Sequence, residues 1–299
     1  MTDLLGVMES WSEQATTVRD ESGTLTTIAL ADIVTGKPVP PRASVRLRVS
    51  ADEAERRAVA SWPPVESEPL GDWLLRASDG FSTRANSVLA VGDPRMPLPQ
   101  ALAEVCDFYR RRSLPAWAQV VVGSAAHESI EAAGWVPARP GEADTVFSLA
   151  SVATVLRAVR SAAASDVQDV QVSTTAGPDW LGDDTRARAH PEAAAAVLEG
   201  PAQVGFVSVR DGGAVVAKGR VACGHADDWA GITDVWADPA HRRRGLALLV
   251  LGRLVEWAAE RGVTTAYLQV RGDNPPALAL YDRLGFTAHH SYRYLRPAG

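Results

Sequence analysis

The sequence predicts a mixed α/β protein built from two similar domains, and three observations carry that prediction. The chain has 299 residues, enough for two domains of roughly 100–200 residues each. Its composition, 46% hydrophobic and 22% charged, is that of a globular protein able to bury a core without metals or disulfides. Strand and helix patterns then recur in one order in both halves. Helix, strand, short helix, glycine–aromatic pair and strand run from Leu98 to Leu149 and again from Leu246 to Leu295, offset by about 150 residues. Phe108-Tyr109 falls near Trp257, and Gly134-Trp135 falls on Gly285-Phe286.

The elements follow from local patterns. Thr24–Leu30 reads as a strand after the turn Glu21-Ser22-Gly23, and Gly36-Lys37-Pro38-Val39-Pro40-Pro41 reads as an extended linker. Residues 1–44 are therefore expected to be an extension. Val45–Val49 alternates and predicts a strand, and Ser50 with Glu53 is a capping box opening a short helix. Trp73–Ala77 and Phe81–Val91 flank Ser78-Asp79-Gly80 as a hairpin. In that reading Gly80–Leu89 is an alternating strand, presenting Arg84, Asn86 and Ser87 as a candidate acceptor surface. Pro99–Arg112 is a helix whose closing arginines suit a C-terminus. Ala118–Val122 is a strand, a short helix runs from His127 to Gly134, and Val146–Leu149 is a strand.

Ser161–Ser165 is small and polar and suggests a boundary, giving domains at 45–160 and 161–299. Beyond it, Val167–Val172 is a strand and Trp180–Leu198 is helical around a break at Pro191. Ala202–Arg210 and Ala214–Gly224 form a hairpin across Asp211-Gly212-Gly213. Strand Gly231–Ala237, helix Leu246–Arg261, strand Thr265–Val270, helix Asn274–Leu284 and strand Ser291–Leu295 complete the chain.

Several function classes are disfavoured. A net charge of −6 argues against a general nucleic-acid surface. Cys106 and Cys223 are too few for a disulfide framework or a thiolate zinc site. His289-His290 has no Cys, Asp or Glu at ligand spacing, so no metal is expected. The N-terminus lacks a basic leader region, and no run of 18 apolar residues exists. A cytoplasmic protein is expected, with no membrane or nucleic-acid partner.

The chemistry concentrates in Thr233–Ala247: a strand, a turn at Asp238-Pro239, a basic run Arg242-Arg243-Arg244, and Gly245 opening an apolar helix. Unpaired amides and the helix dipole make such a terminus a ready diphosphate site. Three arginines there oppose the dipole unless an anion compensates them.

Here the sequence resembles the GCN5-related N-acetyltransferase superfamily. Arg242, Gly245 and Ala247 match its acyl-CoA signature, and Val235-Trp236-Ala237-Asp238-Pro239 fits its fourth strand and following turn. Asn274, Ala277, Leu280, Tyr281 and Gly285-Phe286 reproduce its downstream pattern. The resemblance implies two tandem domains of this fold. Each is a mixed, mostly antiparallel sheet flanked by helices and splayed between its fourth and fifth strands. It also implies acetyl transfer from acetyl-CoA to a primary amine on a small molecule or peptide, by a monomer or homodimer. Arg242, Arg243, Arg244, Gly245, Leu246 and Ala247 would hold the pyrophosphate. Val235, Trp236 and Ala237 would meet the thioester, and Asn274 and Ala277 would meet the pantetheine arm. Tyr281 would act as general acid. Asp234 is the first candidate base, with His225, Asp227 and Asp228 as alternatives. A non-catalytic acyl-CoA sensor is the alternative reading.

The first half lacks the equivalents. Asp93-Pro94 stands in register with Asp238-Pro239, but Pro97 and Pro99 offer no amide, and Ile130 stands where Tyr281 stands. The first half is therefore expected to be a degenerate, non-catalytic copy that walls the acceptor site.

Overall fold

The computed structural model describes residues 4–20, 23–35, 45–162, 169–182, 184–224, 228–241 and 243–299. The expected linker Gly36–Pro41 and residues 163–165 of the expected boundary lie outside them. The chain divides into two compact units, Met1–Ala43 and Ser44–Gly299.

The first unit is an antiparallel meander of β1 (Val7–Trp11), β2 (Ala15–Arg19) and β3 (Leu25–Ala29). Only β3 is predicted from pattern. Every residue of β1 is exposed, so burial imposes no alternation on it.

The second unit opens on a correction. Val45–Arg48 is a 3₁₀ turn and not a strand. The strands beside it are already paired on both edges, and Leu47 and Val49 satisfy their alternation by packing against Ala54, Ala58 and Trp229. Ser50 then caps α1 (Ala51–Ser61), its hydroxyl accepting from Glu53 N at 3.2 Å.

β4 (Glu66–Leu70) and β5 (Trp73–Ala77) make a hairpin through Gly71-Asp72 that the sequence reading missed. The expected partner, Phe81–Val91, is mostly not a strand. Only β6 (Val88–Leu89) is extended and paired, and Arg84–Asn86 is a 3₁₀ turn. The cause is Asn86. Its Oδ1 accepts from Ser78 N (2.8 Å) and Gly80 N (3.0 Å), and its Nδ2 donates to Ser82 O (2.8 Å). One buried amide thus supplies the bonds that a ladder would have given. α2 (Leu98–Arg110), β7 (Ala118–Val121), α3 (Ala125–Ala132), β8 (Trp135–Pro137) and β9 (Thr145–Ser151) follow. α4 (Val152–Ala162) continues directly from β9 and was not anticipated.

β10 (Val170–Ser173) leads to three short helices where one broken helix is predicted. These are α5 (Pro178–Leu181), α6 (Thr185–Ala189) and α7 (Pro191–Glu199). Gly182 at φ +54° ends the first, Asp184 caps the second and Pro191 opens the third. β11 (Gln203–Asp211) and β12 (Ala214–Cys223) close over Gly212-Gly213, both at positive φ as a tight hairpin demands. β13 (Trp229–Ala237), α8 (Leu246–Ala259), β14 (Thr265–Arg271), α9 (Pro275–Arg283) and β15 (Thr287–Pro297) complete the chain.

Twelve described strands form one mixed sheet in the order β10-β11-β12-β13-β14-β9-β15-β7-β6-β5-β4, with β8 also on β15. Two neighbouring pairs are parallel, β13 with β14 and β6 with β7. The two halves exchange their closing strands. β9 lies along β14, from Thr265↔Ser151 to Arg271↔Thr145, while β15 lies along β7, from Tyr292↔Val121 to Leu295↔Ala118. The exchanged strands then pair with each other at the centre.

The repeat is visible in detail. Arg95 (φ +59°) and Arg243 (φ +61°) hold the same left-handed position, each three residues before its helix. In each half an arginine of that turn pairs with an aspartate of the hairpin turn, Arg95 with Asp72 and Arg244 with Asp211.

Replacing Asn86 with Ala strands the buried Ser78 N–H and the partly buried Gly80 N–H. The expected loss is about 2–3 kcal/mol of unfolding free energy, read from urea denaturation. A loss near zero would show that the 3₁₀ turn holds without it.

Candidate functional site

β13 and β14 pair only from Trp229↔Thr265 to Ile232↔Leu268 and then part. The parting begins at a bulge in β13. Arg220 opposes Thr233 and Lys218 opposes Trp236, so Asp234 and Val235 together face Gly219. Asp234 takes up the left-handed strain at φ +53°, a conformation aspartate tolerates better than most residues. α8 holds β12 close at this point, because a Cβ on Gly219 would stand 2.6 Å from Val250 Cγ1.

The parted strands enclose a cavity of about 560 Å³. Thr233, Asp234 and Val235 line one wall, Leu268–Arg271 the other, and Asn274, Ala277 and Tyr281 of α9 the end. Five of the residues singled out from sequence therefore share one space: Asp234, Val235, Asn274, Ala277 and Tyr281. Thr233, Gln269 and Arg271 join them without having been singled out. Their signal was their place beyond the last paired residues of the two strands.

Asp234 is half-buried, and its Oδ2 is enclosed with no partner among the described residues. Its Oδ1 lies 3.7 Å from Arg186 Nη2. Arg186 is itself held by Asp184 at 2.7 Å, which keeps its guanidinium firmly charged. Lys218 Nζ donates to the carbonyls of Trp180 and Leu181 at the end of α5, and burial pushes its ammonium below the usual lysine range. Tyr281 is largely enclosed, meeting Phe286 edge-on at 5.9 Å, and burial raises its phenol above the ordinary tyrosine value. It is protonated at neutral pH and able to give a proton. Asn274 caps α9, its Oδ1 accepting from Ala277 N at 3.3 Å.

The basic turn stands apart from the cavity walls. Arg242 lies outside the described residues, as do His225 and Asp227. Gly245 caps α8 at φ +73°, no acidic residue occupies the first turn, and Leu246 is buried while Arg243 and Arg244 are exposed. Arg244 pairs with Asp211 at 2.8 Å, so part of the charge conflict expected at this helix end is resolved internally. Trp236 is exposed, and Ala237 packs against the core beneath α8. Asp228 is engaged elsewhere, accepting from Thr264 Oγ1 at 3.1 Å at the paired end of β13.

In the first half the corresponding strands stay bonded, Ala90 N donating to Gln119 O at 3.0 Å beyond the paired Leu89↔Gln119. Leu89, Val91 and Val121 form a buried cluster at the end of the β6–β7 pairing, against which Ala51 and Val59 of α1 pack. Its turn is also clamped. Asp72 N donates to Asp93 O at 2.7 Å, and Asp93 N donates to the Asp72 carboxylate at 3.0 Å.

Residues 51–295 match a family model described as probable histone acetyltransferase Rv0428c, C-terminal. The chain belongs to this family of GCN5-related N-acetyltransferases. It is 27% identical over 251 residues to YobR of Bacillus subtilis, an uncharacterized N-acetyltransferase, covering 81% of this chain and 97% of that one. It is 29% identical over 287 residues to the probable histone acetyltransferase Rv0428c of Mycobacterium tuberculosis, covering 93% and 83%. Among solved structures, a GCN5-related N-acetyltransferase from Kribbella flavida superposes with a TM-score of 0.55 at 20% identity, over 83% of this chain and 96% of that one. A tandem protein of the same superfamily from the clavulanic acid pathway gives 0.57 at 13% identity, over 70% and 74%. These two share the fold. No described helix of this acetyltransferase relative is long and apolar enough to cross a membrane, and no described cluster of His, Cys, Asp or Glu could hold a metal.

The bulge sets a stability test. Asp234→Val places a β-branched residue in the left-handed region and is expected to cost about 1–2 kcal/mol relative to Asp234→Asn. Equal melting temperatures for the two variants would show that the bulge relaxes.

Proposed function

We propose that the chain is an acetyl-CoA-dependent N-acetyltransferase that acts on a primary amine, with its one active site in the second half. The parting of β13 and β14 at the Asp234 bulge, with Tyr281 on the same cavity, carries this reading. Residues 161–299 would be the catalytic domain, completed by β9, and 45–160 the non-catalytic copy. The exposed, acid-free N-terminus of α8 fits the cosubstrate's pyrophosphate, held by amides from Arg243 to Ala247. The cavity fits its pantetheine arm, against Val235, Ala277 and Asn274.

Acetyl-CoA supplies a thioester carbonyl and a thiolate leaving group. Asp234, with one oxygen unpartnered, takes a proton from the acceptor ammonium and frees the amine to attack. The bulge leaves main-chain N–H groups at Val235–Ala237 to donate to the carbonyl oxygen as negative charge grows on it. Tyr281 gives its proton to the departing sulfur. No step calls on a metal. The acceptor is a small-molecule or peptide amine, and a monomer or homodimer would suffice.

Calorimetry with acetyl-CoA is expected to show binding to the intact protein, abolished by Gly245→Glu through steric and charge conflict. Failure of the intact protein to bind would sink the proposal. Tyr281→Phe should lower kcat by about 10²-fold or more while acetyl-CoA affinity stays nearly constant. Because burial raises the Tyr281 phenol, the acid form persists to higher pH. The alkaline loss of kcat should therefore begin above the ordinary tyrosine value of about 10. An unchanged kcat in the variant would remove Tyr281 from the mechanism, and binding without turnover on any amine would favour a sensor.

A further inference from the structure

The first half packs directly against the second. Trp62 and Phe81 join a buried cluster with Trp180, Ala187, Leu198 and Phe206 of the second half. His190 of the second half meets Asp79 of the first at 3.2 Å. This packing, with the Asn86-braced turn, fixes the position of Arg84.

Arg84 is tied to the β14 wall through Tyr292. Its Nη2 reaches Tyr292 OH at 3.5 Å, and that hydroxyl donates to Gln269 Oε1 at 3.0 Å on the β14 wall. Its guanidinium lies over Trp62 at 5.4 Å. On the β13 side it repels Arg186, the residue in contact with Asp234. Two donors remain without partners among the described residues, Arg84 Nε and Gln269 Nε2, both enclosed. A buried donor with no acceptor is costly to leave unmade, so two of them near one cleft mark a place for an acceptor group.

The charges agree. On the β13 side Arg84, Arg186, Lys218 and Arg220 interact with only two carboxylates among the described residues, Asp234 and Asp184, while on the β14 side Arg271 is balanced by Asp273 and Glu142. Arg220 is fully buried and has no carboxylate partner among the described residues. It donates to the carbonyls of Leu198 and Ser61 and lies over Trp62 at 5.1 Å. Asp184 is already taken by Arg186. Arg220, fully buried, is screened little, whereas Arg186 is half-exposed.

We infer that the acceptor is an amine that also carries an anionic group, a carboxylate or a phosphate, with Arg84 and Gln269 holding the anion while the amine faces Asp234. Net acidity of the whole chain would instead favour a cationic acceptor, but the local walls outweigh a distributed charge of −6. The inference rests on the acetyltransferase reading above and names its substrate class. Arg84 is a binding and specificity residue contributed by the non-catalytic half.

The test follows thiol release from acetyl-CoA with four acceptors: 4-aminobutyrate, 3-aminopropyl phosphate, n-butylamine and a basic lysine peptide. The intact protein is expected to favour one or both anionic amines over butylamine by about tenfold or more in kcat/KM. The preferred arm tells carboxylate from phosphate. Arg84→Gln should erase the preference, mainly through KM, and Arg84→Lys should keep most of it. Retained acetyl-CoA binding by calorimetry shows that each variant is folded. Preference for butylamine or the peptide, or a preference that survives Arg84→Gln, overturns the inference and leaves the acetyltransferase reading standing. Absence of acetyl-CoA binding, or of turnover with all four amines, overturns both.

Discussion

The separation of β13 from β14 is the constraint on which the rest of this molecule depends. Parallel neighbours that stay paired offer no room for a ligand, and buried backbone groups left unpaired are costly. Here the strands pair for four residues and then part at a bulge. The two exposed edges are held apart by rigid supports. α8 presses on β12 at Gly219 behind one wall, and β9 pairs along the whole length of β14 behind the other. A cavity persists because each wall is satisfied from its far side.

That support explains the strand exchange. β9 comes from the first half and β15 closes the first half's sheet in return. Neither half has a complete sheet alone, although both repeat one plan. The first half has the same turn geometry and Arg–Asp clamp, and Leu89, Val91 and Val121 are buried beneath α1 where its strands end. Its Trp62 and Phe81 pack against Trp180, Leu198 and Phe206 of the second half, and in the reading proposed above its Arg84 would serve the acceptor.

Much of this was legible in the sequence. The offset of the halves, the capping by Ser50 and Asn274, and the Gly212-Gly213 hairpin all rest on short-range rules that local chemistry enforces. Asp234, Val235, Asn274, Ala277 and Tyr281 were within reach because they lie on two continuous segments. What escaped was long-range. Val45–Val49 alternates because it packs under α1, not because it pairs. Gly80–Leu89 loses its strand to the side-chain bonds of Asn86, which no periodicity reveals. Arg84 therefore lies on a 3₁₀ turn and not on one face of a strand. The exchange of β9 and β15 leaves no local mark. Arg220 gave no signal, since its burial depends on carbonyls distant in sequence.

The account is tested most directly by hydrogen–deuterium exchange of the intact protein with and without acetyl-CoA. Slowed exchange is expected in Val235–Ala237, in the first turn of α8 from Gly245, and in Gln269–Arg271, with no change at Pro94–Leu98. Protection centred on Pro94–Leu98, or none along β13 and α8 at saturating acetyl-CoA, would contradict the claim that the parted strands of the second half are the site.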